Sequence, residues 1–283
     1  MIYQHTITGT FISRPNRFIA HVDINGQTVI SHVKNTGRCR ELLIPGVTVI
    51  LEHHPDAAAL GRKTEYDLIG VYKGDVLINM DSQAPNRAAW EWLEDMKHHP
   101  GAGQILAPVV QPDDTDLTSD DTPADTITRT TGDNRSIMNS NSPSPLWTPT
   151  DIRREVTHGD SRFDLAFTLE EINGSQRFPA FMEVKGVTLE TDGMAMFPDA
   201  PTERGIKHLK GLARAVQEGC RAYVLFVIQM KGIHGFRPND ITHPAFGDAL
   251  RAASAAGVHV LAYDCTITPD TMSIDSPVPV ILN

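Results

Sequence analysis

The sequence predicts a small all-β domain of about 80 residues followed by a larger α/β domain. Three observations carry this. Two alternating apolar runs flank Asn25-Gly26, the strongest short hairpin signal. The pattern turns helical after Asn86. From Pro179 to Tyr263, strand-like and helix-like runs alternate, the order that builds a partly parallel sheet covered by helices.

The β domain spans 1–82. RFIAHVDI and QTVISHV form the hairpin, and VTVILE, YDLIGVY and VLINM follow, with Lys73-Gly74-Asp75 turning between the last two. About five short strands suit a small barrel or sandwich, of which the oligonucleotide-binding (OB) barrel is one type. The second domain spans 83–283. It opens with a short helix, RAAWEWLEDMKHH, whose Trp90, Leu93 and Lys97 stem share a face. Residues 101–149 are rich in Pro, Ser, Thr, Asp, Asn and Gly without a sustained period, and predict a flexible acidic insertion. Order is expected to return near Asp151. RFDLAFTL and PAFMEVKGVTL pair as a second hairpin, its apolar face being Phe163, Leu165, Phe167 and Leu169, with Asp164 pointing the other way. Thr202 to Glu218 carries Ile206, Leu209, Leu212, Ala213 and Val216 at helical spacing, and Gly219 closes it. AYVLFVIQ is a buried strand, AFGDALRAASAA a second amphipathic helix ending at Gly257, and VHVLAY a further strand.

With 283 residues, 40 % apolar and 21 % charged, the composition is that of a globular protein. MIYQHTITGT has no basic segment leading into an apolar stretch, and AYVLFVI is far too short to cross a bilayer, so the expectation is a cytoplasmic protein with no membrane partner. Cys39, Cys220 and Cys265 are far apart and form no CxxC pair, against a disulfide framework or a thiolate zinc site. The net charge of -10 speaks against a nucleic-acid partner until its distribution is considered. Residues 101–150 hold seven Asp and two Arg, whereas residues 1–50 carry a net charge of +3.

In an extended AFMEVKGVTL, Phe181, Glu183 and Lys185 share one side. Asp164 then stands across the hairpin from Glu183, and cross-strand neighbours about 5 Å apart can share one cation. Two carboxylates and a lysine predict a Mg2+ (or Mn2+) site, with Lys185 orienting or deprotonating a water. The plainer alternative is an ion pair between Glu183 and Arg162 on the solvent side of the hairpin. FPDAPTERGIKHLKG enters a helix N-terminus, where Arg204 and His208 could meet a phosphate; alternatively Asp199 or Thr202 only caps the helix. KNTGRCR offers Lys34, Asn35, Thr36, Arg38 and Arg40 around a glycine as a nucleic-acid edge, extended by Arg14, Arg17 and Phe18; the alternative is a solvated turn. His53-His54 and His98-His99 predict surface histidines. No GxSxG, Walker or GxGxxG pattern is present.

SRFDLAF, FMEVKGVTL, FPDAPTERGIKHLKGL, HVKNTGRCRELLIPG and NMDSQAPNR closely resemble the sugar fermentation stimulation protein (SfsA) family. The likeness runs over about 7–99 and 151–265; the acidic insertion departs from it. The resemblance implies an OB-like barrel joined to an α/β domain of the PD-(D/E)xK nuclease type. The motif carries over as Asp164, Glu183 and Lys185, with Phe163 in place of its proline. It further implies Glu91 as the carboxylate of the first helix, with Glu94 its rival, the carbonyl of Val184 as a metal ligand, and Lys207 facing the carboxylates. The implied function is nucleic-acid binding, DNA foremost, with metal-dependent phosphodiester hydrolysis by water attack. Alternatives are a non-enzymatic DNA-binding regulator of sugar (maltose-type) catabolism genes and a small-molecule phosphate hydrolase. The sequence leaves a homo-oligomer open.

Overall fold

The structure is a computed structural model and describes residues 1–35, 37–99, 102–107 and 145–283. Six strands open the chain: β1 (Thr6–Asn16), β2 (Ile19–Ile24), β3 (Gln27–Val33), β4 (Thr48–His53), β5 (Tyr66–Lys73) and β6 (Val76–Asn79). β2 and β3 turn at Asn25 and Gly26, whose φ values of 54° and 86° are those of a type I′ hairpin. The sheet order is β3-β2-β1-β4-β5-β6, and β3 also pairs in parallel with β5, so five strands close into a barrel and β6 extends beyond it. β1 was not distinguished from the sequence. Bulges near Phe11 and Ser13 break its alternation, and they let it bend between β2 and β4.

The chain then forms α1 (Ala84–Met96), a 3-10 turn at Ala102–Leu106, β7 (Trp147–His158), β8 (Ser161–Glu171), β9 (Arg177–Val187), β10 (Glu190–Thr191), β11 (Met194–Phe197), α2 (Glu203–Gln217), β12 (Arg221–Ile228), β13 (Gly235–Pro238), α3 (Pro244–Ala255), β14 (His259–Ile267) and β15 (Met272–Pro277). The six-stranded sheet β15-β14-β12-β9-β8-β7 is parallel at its centre and antiparallel at both edges. Both faces are covered. Ala222, Val224, Phe226 and Ile228 of β12 pack with Leu209, Leu212 and Ala215 of α2 and Leu250 of α3, and Tyr223, Leu225 and Val227 face α1. Burying such side chains contributes about 1.5–3 kcal/mol each. Among the described residues no helix is long and apolar enough to cross a membrane.

Several expectations change. The boundary of the insertion moves inward, because Leu106 and Trp147 are buried and the Tyr223 hydroxyl donates to the Leu106 carbonyl (2.7 Å). The acidic stretch 108–144 lies outside the described residues. α1 buries Ala88, Ala89, Leu93 and Met96 rather than a Trp90–Leu93–Lys97 face. Phe163 does not share a face with Leu165 and Phe167: it packs with Phe181 on the α2 side, while they face α1. The hairpin is therefore not half solvated.

The barrel and the α/β domain are joined by buried polar groups. Gln229 Nε2 donates to the Asn79 carbonyl, Asn79 Oδ1 and the Asp81 carbonyl, and Tyr3 joins Asn79 to Asp81. Gly186 allows the approach, because a Cβ there would stand 2.5 Å from Gln229 Oε1 and 2.7 Å from Pro85 Cγ.

Candidate functional site

The β8–β9 ladder runs from Glu170↔Arg177 to Leu165↔Met182 and stops. The next residue on β8 is Asp164. Its side chain replaces the ladder: Oδ2 accepts from the Val184 amide (2.8 Å) and Oδ1 from Asn86 Nδ2 of α1 (2.8 Å). On β9, the period of two turns Glu183 and Lys185 toward α2, and His208 of α2 meets Glu183. Glu183 is 2 % exposed. Its Oε1 accepts from both Lys185 Nζ and His208 Nδ1, while Oε2 is buried with no hydrogen-bond partner. Arg204 Nε donates to His208 Nε2 (3.4 Å), so the His208 proton sits on Nδ1, toward Glu183.

The carboxylates are pushed apart in acidity. Burial, then the Glu183 charge, raises Asp164 above the usual carboxylate range against the Val184 amide, Lys185 and Asn86. Burial also raises Glu183, but His208 and Lys185 together outweigh it and hold the group below its ordinary value. A buried carboxylate oxygen left unpartnered costs about 1–3 kcal/mol or more. The site thus carries an uncompensated acceptor beside a second, repelled carboxylate. Hard divalent ions take carboxylate oxygens of this kind, so the donor chemistry is that which the expected cation needs.

Other expected residues are placed differently. Glu91 is not in this cluster: its oxygens meet the Met1 ammonium (2.6 Å) and Arg87 Nε (3.0 Å). The reason is helical phase, since residues five apart point about 140° away from each other and Asn86 is the α1 residue that reaches Asp164. Glu94 pairs with Lys97 (2.6 Å). Lys207 is exposed on α2, and His208, one residue on and about 100° round, takes the inward place. Arg162 pairs with Glu155 rather than Glu183. Thr202 caps α2, accepting from the Gly205 amide (3.0 Å).

On the barrel, Lys34 is committed to buried Asp81 (2.7 Å), so it is not a free phosphate contact. Arg14 donates to the carbonyls of Arg17, Asn35, Gly37 and Arg38 and holds that loop in shape. Asn35 Oδ1 accepts from the Gly37 amide (2.8 Å), a turn contact. Thr36 lies outside the described residues. Arg17, Arg38 and Arg40 are exposed, with no ion pair among the described residues, and Arg17 lies over the exposed Phe18 ring at 5.4 Å. They line a groove of ≈ 500 Å³ together with Phe11 and Leu43. A cavity of ≈ 360 Å³ bounded by Asn35, Ser82, Gly186, Asp199 and Thr202 separates the barrel from the α/β domain. A larger one, ≈ 880 Å³, lies at Val216, Arg221, His259 and Leu282, and neither carboxylate lines it. Asn86 and the inward role of His208 escaped the sequence reading; the only signal was their presence in the two strings NMDSQAPNR and RGIKHLKGL.

Comparison with known proteins follows the same division. Residues 12–80 match the family model described as the SfsA N-terminal OB domain, and residues 134–271 match that of the sugar fermentation stimulation protein RE domain. A sugar fermentation stimulation protein homolog of Desulfitobacterium hafniense (strain Y51) is 48 % identical over 272 residues, covering 96 % of this chain and 94 % of the relative. One from Alkaliphilus oremlandii is 44 % identical, covering 99 % and 98 %. The solved structure of Pyrococcus furiosus SfsA in complex with Ca2+ superposes with a TM-score of 0.69 at 22 % identity, over 99 % of this chain and 98 % of that one, and so shares the fold. An OB barrel matched by its own model, an α/β domain matched by another, and relatives 48 % and 44 % identical over nearly the whole chain lead to one conclusion: the chain belongs to the sugar fermentation stimulation protein (SfsA) family.

Proposed function

We propose that this protein binds nucleic acid, DNA foremost, along the barrel's arginine edge and hydrolyses phosphodiesters at Asp164, Glu183 and Lys185, in an α/β domain of the PD-(D/E)xK type. The observation that carries the reading is the buried, unpartnered Oε2 of Glu183 beside Asp164. Asp164, Glu183 and the Val184 carbonyl would hold Mg2+ or Mn2+, which when bound neutralises phosphate oxygens and lowers the pKa of a water. Asn86 and the Val184 amide fix the Asp164 carboxylate, leaving further lone pairs on both oxygens. His208 holds Glu183 in one rotamer, and Arg204 holds the His208 tautomer. Lys185, 17 % exposed, can release Glu183 and turn to the attacking water or the phosphate. Arg17, Arg38 and Arg40 supply backbone charge, and Phe18 a stacking face.

Cleavage of end-labelled single- and double-stranded DNA and RNA with Mg2+ or Mn2+ tests this. Wild type should cut at least one polymer, and Asp164→Asn and Glu183→Gln should abolish cutting while leaving circular dichroism unchanged. No metal-dependent cleavage of any of the four polymers would overturn it. A second reading, a non-enzymatic DNA-binding regulator of sugar-catabolism genes, is favoured by one contact: the Lys185 ammonium already pairs with Glu183 without a metal ion. In that case binding falls steeply with salt and ignores Mg2+.

A further inference from the structure

We propose that the barrel carries a second cation site, for a transition metal, at Glu52, His54 and Asp67. Glu52 on β4 pairs with Asp67 on β5, and His54 follows two residues after Glu52, just past the end of β4. His54 Nε2 lies 3.1 Å from Asp67 Oδ2 and 3.7 Å from Glu52 Oε2, and one ligand atom from each of the three residues falls within 4.8 Å of the others. Donors on one ion at bonds of about 2.0–2.2 Å stand about 3–3.5 Å apart, so small side-chain adjustments close the set.

The outer oxygens support the same reading. Glu52 Oε1 accepts from the Gln4 amide (3.0 Å) and Asp67 Oδ1 from Arg62 Nη2 (2.7 Å), which leaves Oε2 and Oδ2 turned to His54. Metal-binding carboxylates are commonly oriented in this way. The His54 backbone is fixed on both sides: its amide donates to the Glu65 carbonyl (2.8 Å) and its carbonyl accepts from the Ala57 amide (3.0 Å). His53 is excluded, being stacked on Tyr66 and paired with Glu65. His32 Nδ1, 3.6 Å from Asp67 Oδ1, stands next to the set.

An imidazole with two carboxylates suits Zn2+, Co2+ or Mn2+ rather than Mg2+ or Ca2+, which take oxygen ligands. The three ligands come from the antiparallel pair β4 and β5, so an ion there would tie these two strands together beside the place where β5 meets β3. The competing account is a cluster in which contacts to His54 and Arg62 satisfy the carboxylates without an ion.

The test uses the full chain carrying Asp164→Asn and Glu183→Gln, stripped with EDTA and titrated with Co2+ by calorimetry and visible absorption. The expected result is one ion per chain with ligand-field bands, not displaced by excess Mg2+. His54→Gln and, independently, Glu52→Gln should each weaken binding at least about tenfold. Both leave the Asp67–Arg62 pair intact, so folding is preserved. Absence of Co2+ binding, or binding untouched by both substitutions, would overturn the proposal. Because the other carboxylates are removed, the outcome is independent of any nuclease activity.

Discussion

Asparagine at position 164 separates what the carboxylate costs from what it binds. In metal-free protein, burial and then the Glu183 charge both disfavour the ionised form of Asp164. Asp164→Asn keeps the shape and removes the charge: the new amide oxygen still accepts the Val184 N–H, and the Asn86 amide turns over to offer its own oxygen. The gain should sit at the low end of the about 1–4 kcal/mol seen when buried charge is replaced by neutral groups. At about 2–4 °C per kcal/mol, the melting temperature in EDTA rises by about 2–4 °C. Mn2+ at about 100 times its Kd should stabilise wild type by about 2.7 kcal/mol, or about 5–10 °C, and the variant by little. The order of the two melting temperatures therefore inverts when Mn2+ is added. The pH sign is set by the raised folded pKa. Stability from Asp164 is complete below the unfolded carboxylate value and lost as pH rises through the folded one, so the variant's advantage in EDTA disappears on acidification through that window. Thermal denaturation followed by circular dichroism, in a His54→Gln background to silence the barrel cluster, reads all three effects. Equal Mn2+ shifts in both proteins, or a variant less stable than wild type in EDTA, would refute the reasoning and make Asp164 a structural acceptor.

Three more outcomes follow from contacts already described. Gly186→Ala should destabilise by about 1–3 kcal/mol in urea unfolding, because its methyl meets both Gln229 and Pro85 at the domain junction. Arg38→Ala with Arg40→Ala should leave stability within about 0.5 kcal/mol and weaken nucleic-acid binding, lowering the salt slope by about 1 for each lost phosphate contact in a filter-binding titration. His259 has a depressed pKa, from burial and then from Arg221, so its contribution to stability holds above the ordinary histidine value and is lost as pH falls through the folded one. His259→Gln should flatten that part of the stability profile, measured by urea midpoints between pH values of about 7 and 5.

Local rules made much of the fold legible. Asn25-Gly26 specified its hairpin through backbone conformations that few other residues adopt. The strand period aligned Glu183 with Lys185, and the helical period gave α2 with its Thr202 and Gly219 ends. Hairpin alternation, and after it the family resemblance, pointed to Asp164, Glu183 and Lys185; Lys185 pairs with Glu183, and the Glu183 charge acts on Asp164.

Tertiary structure decided what those faces meet. The parallel β3–β5 pairing that closes the barrel joins segments with β4 and two long connections between them, and no local signal marks it. Docking of α1 selected Asn86 over Glu91, and docking of α2 selected His208 over Lys207, each a difference of helical phase. Asp81 claimed Lys34, four backbone carbonyls claimed Arg14, and His54 became the neighbour of Glu52 and Asp67 at the end of the β4–β5 pair. Periodicity in a sequence tells which side of an element a residue occupies; the partner on that side, and hence its charge state and chemistry, depends on how distant elements pack.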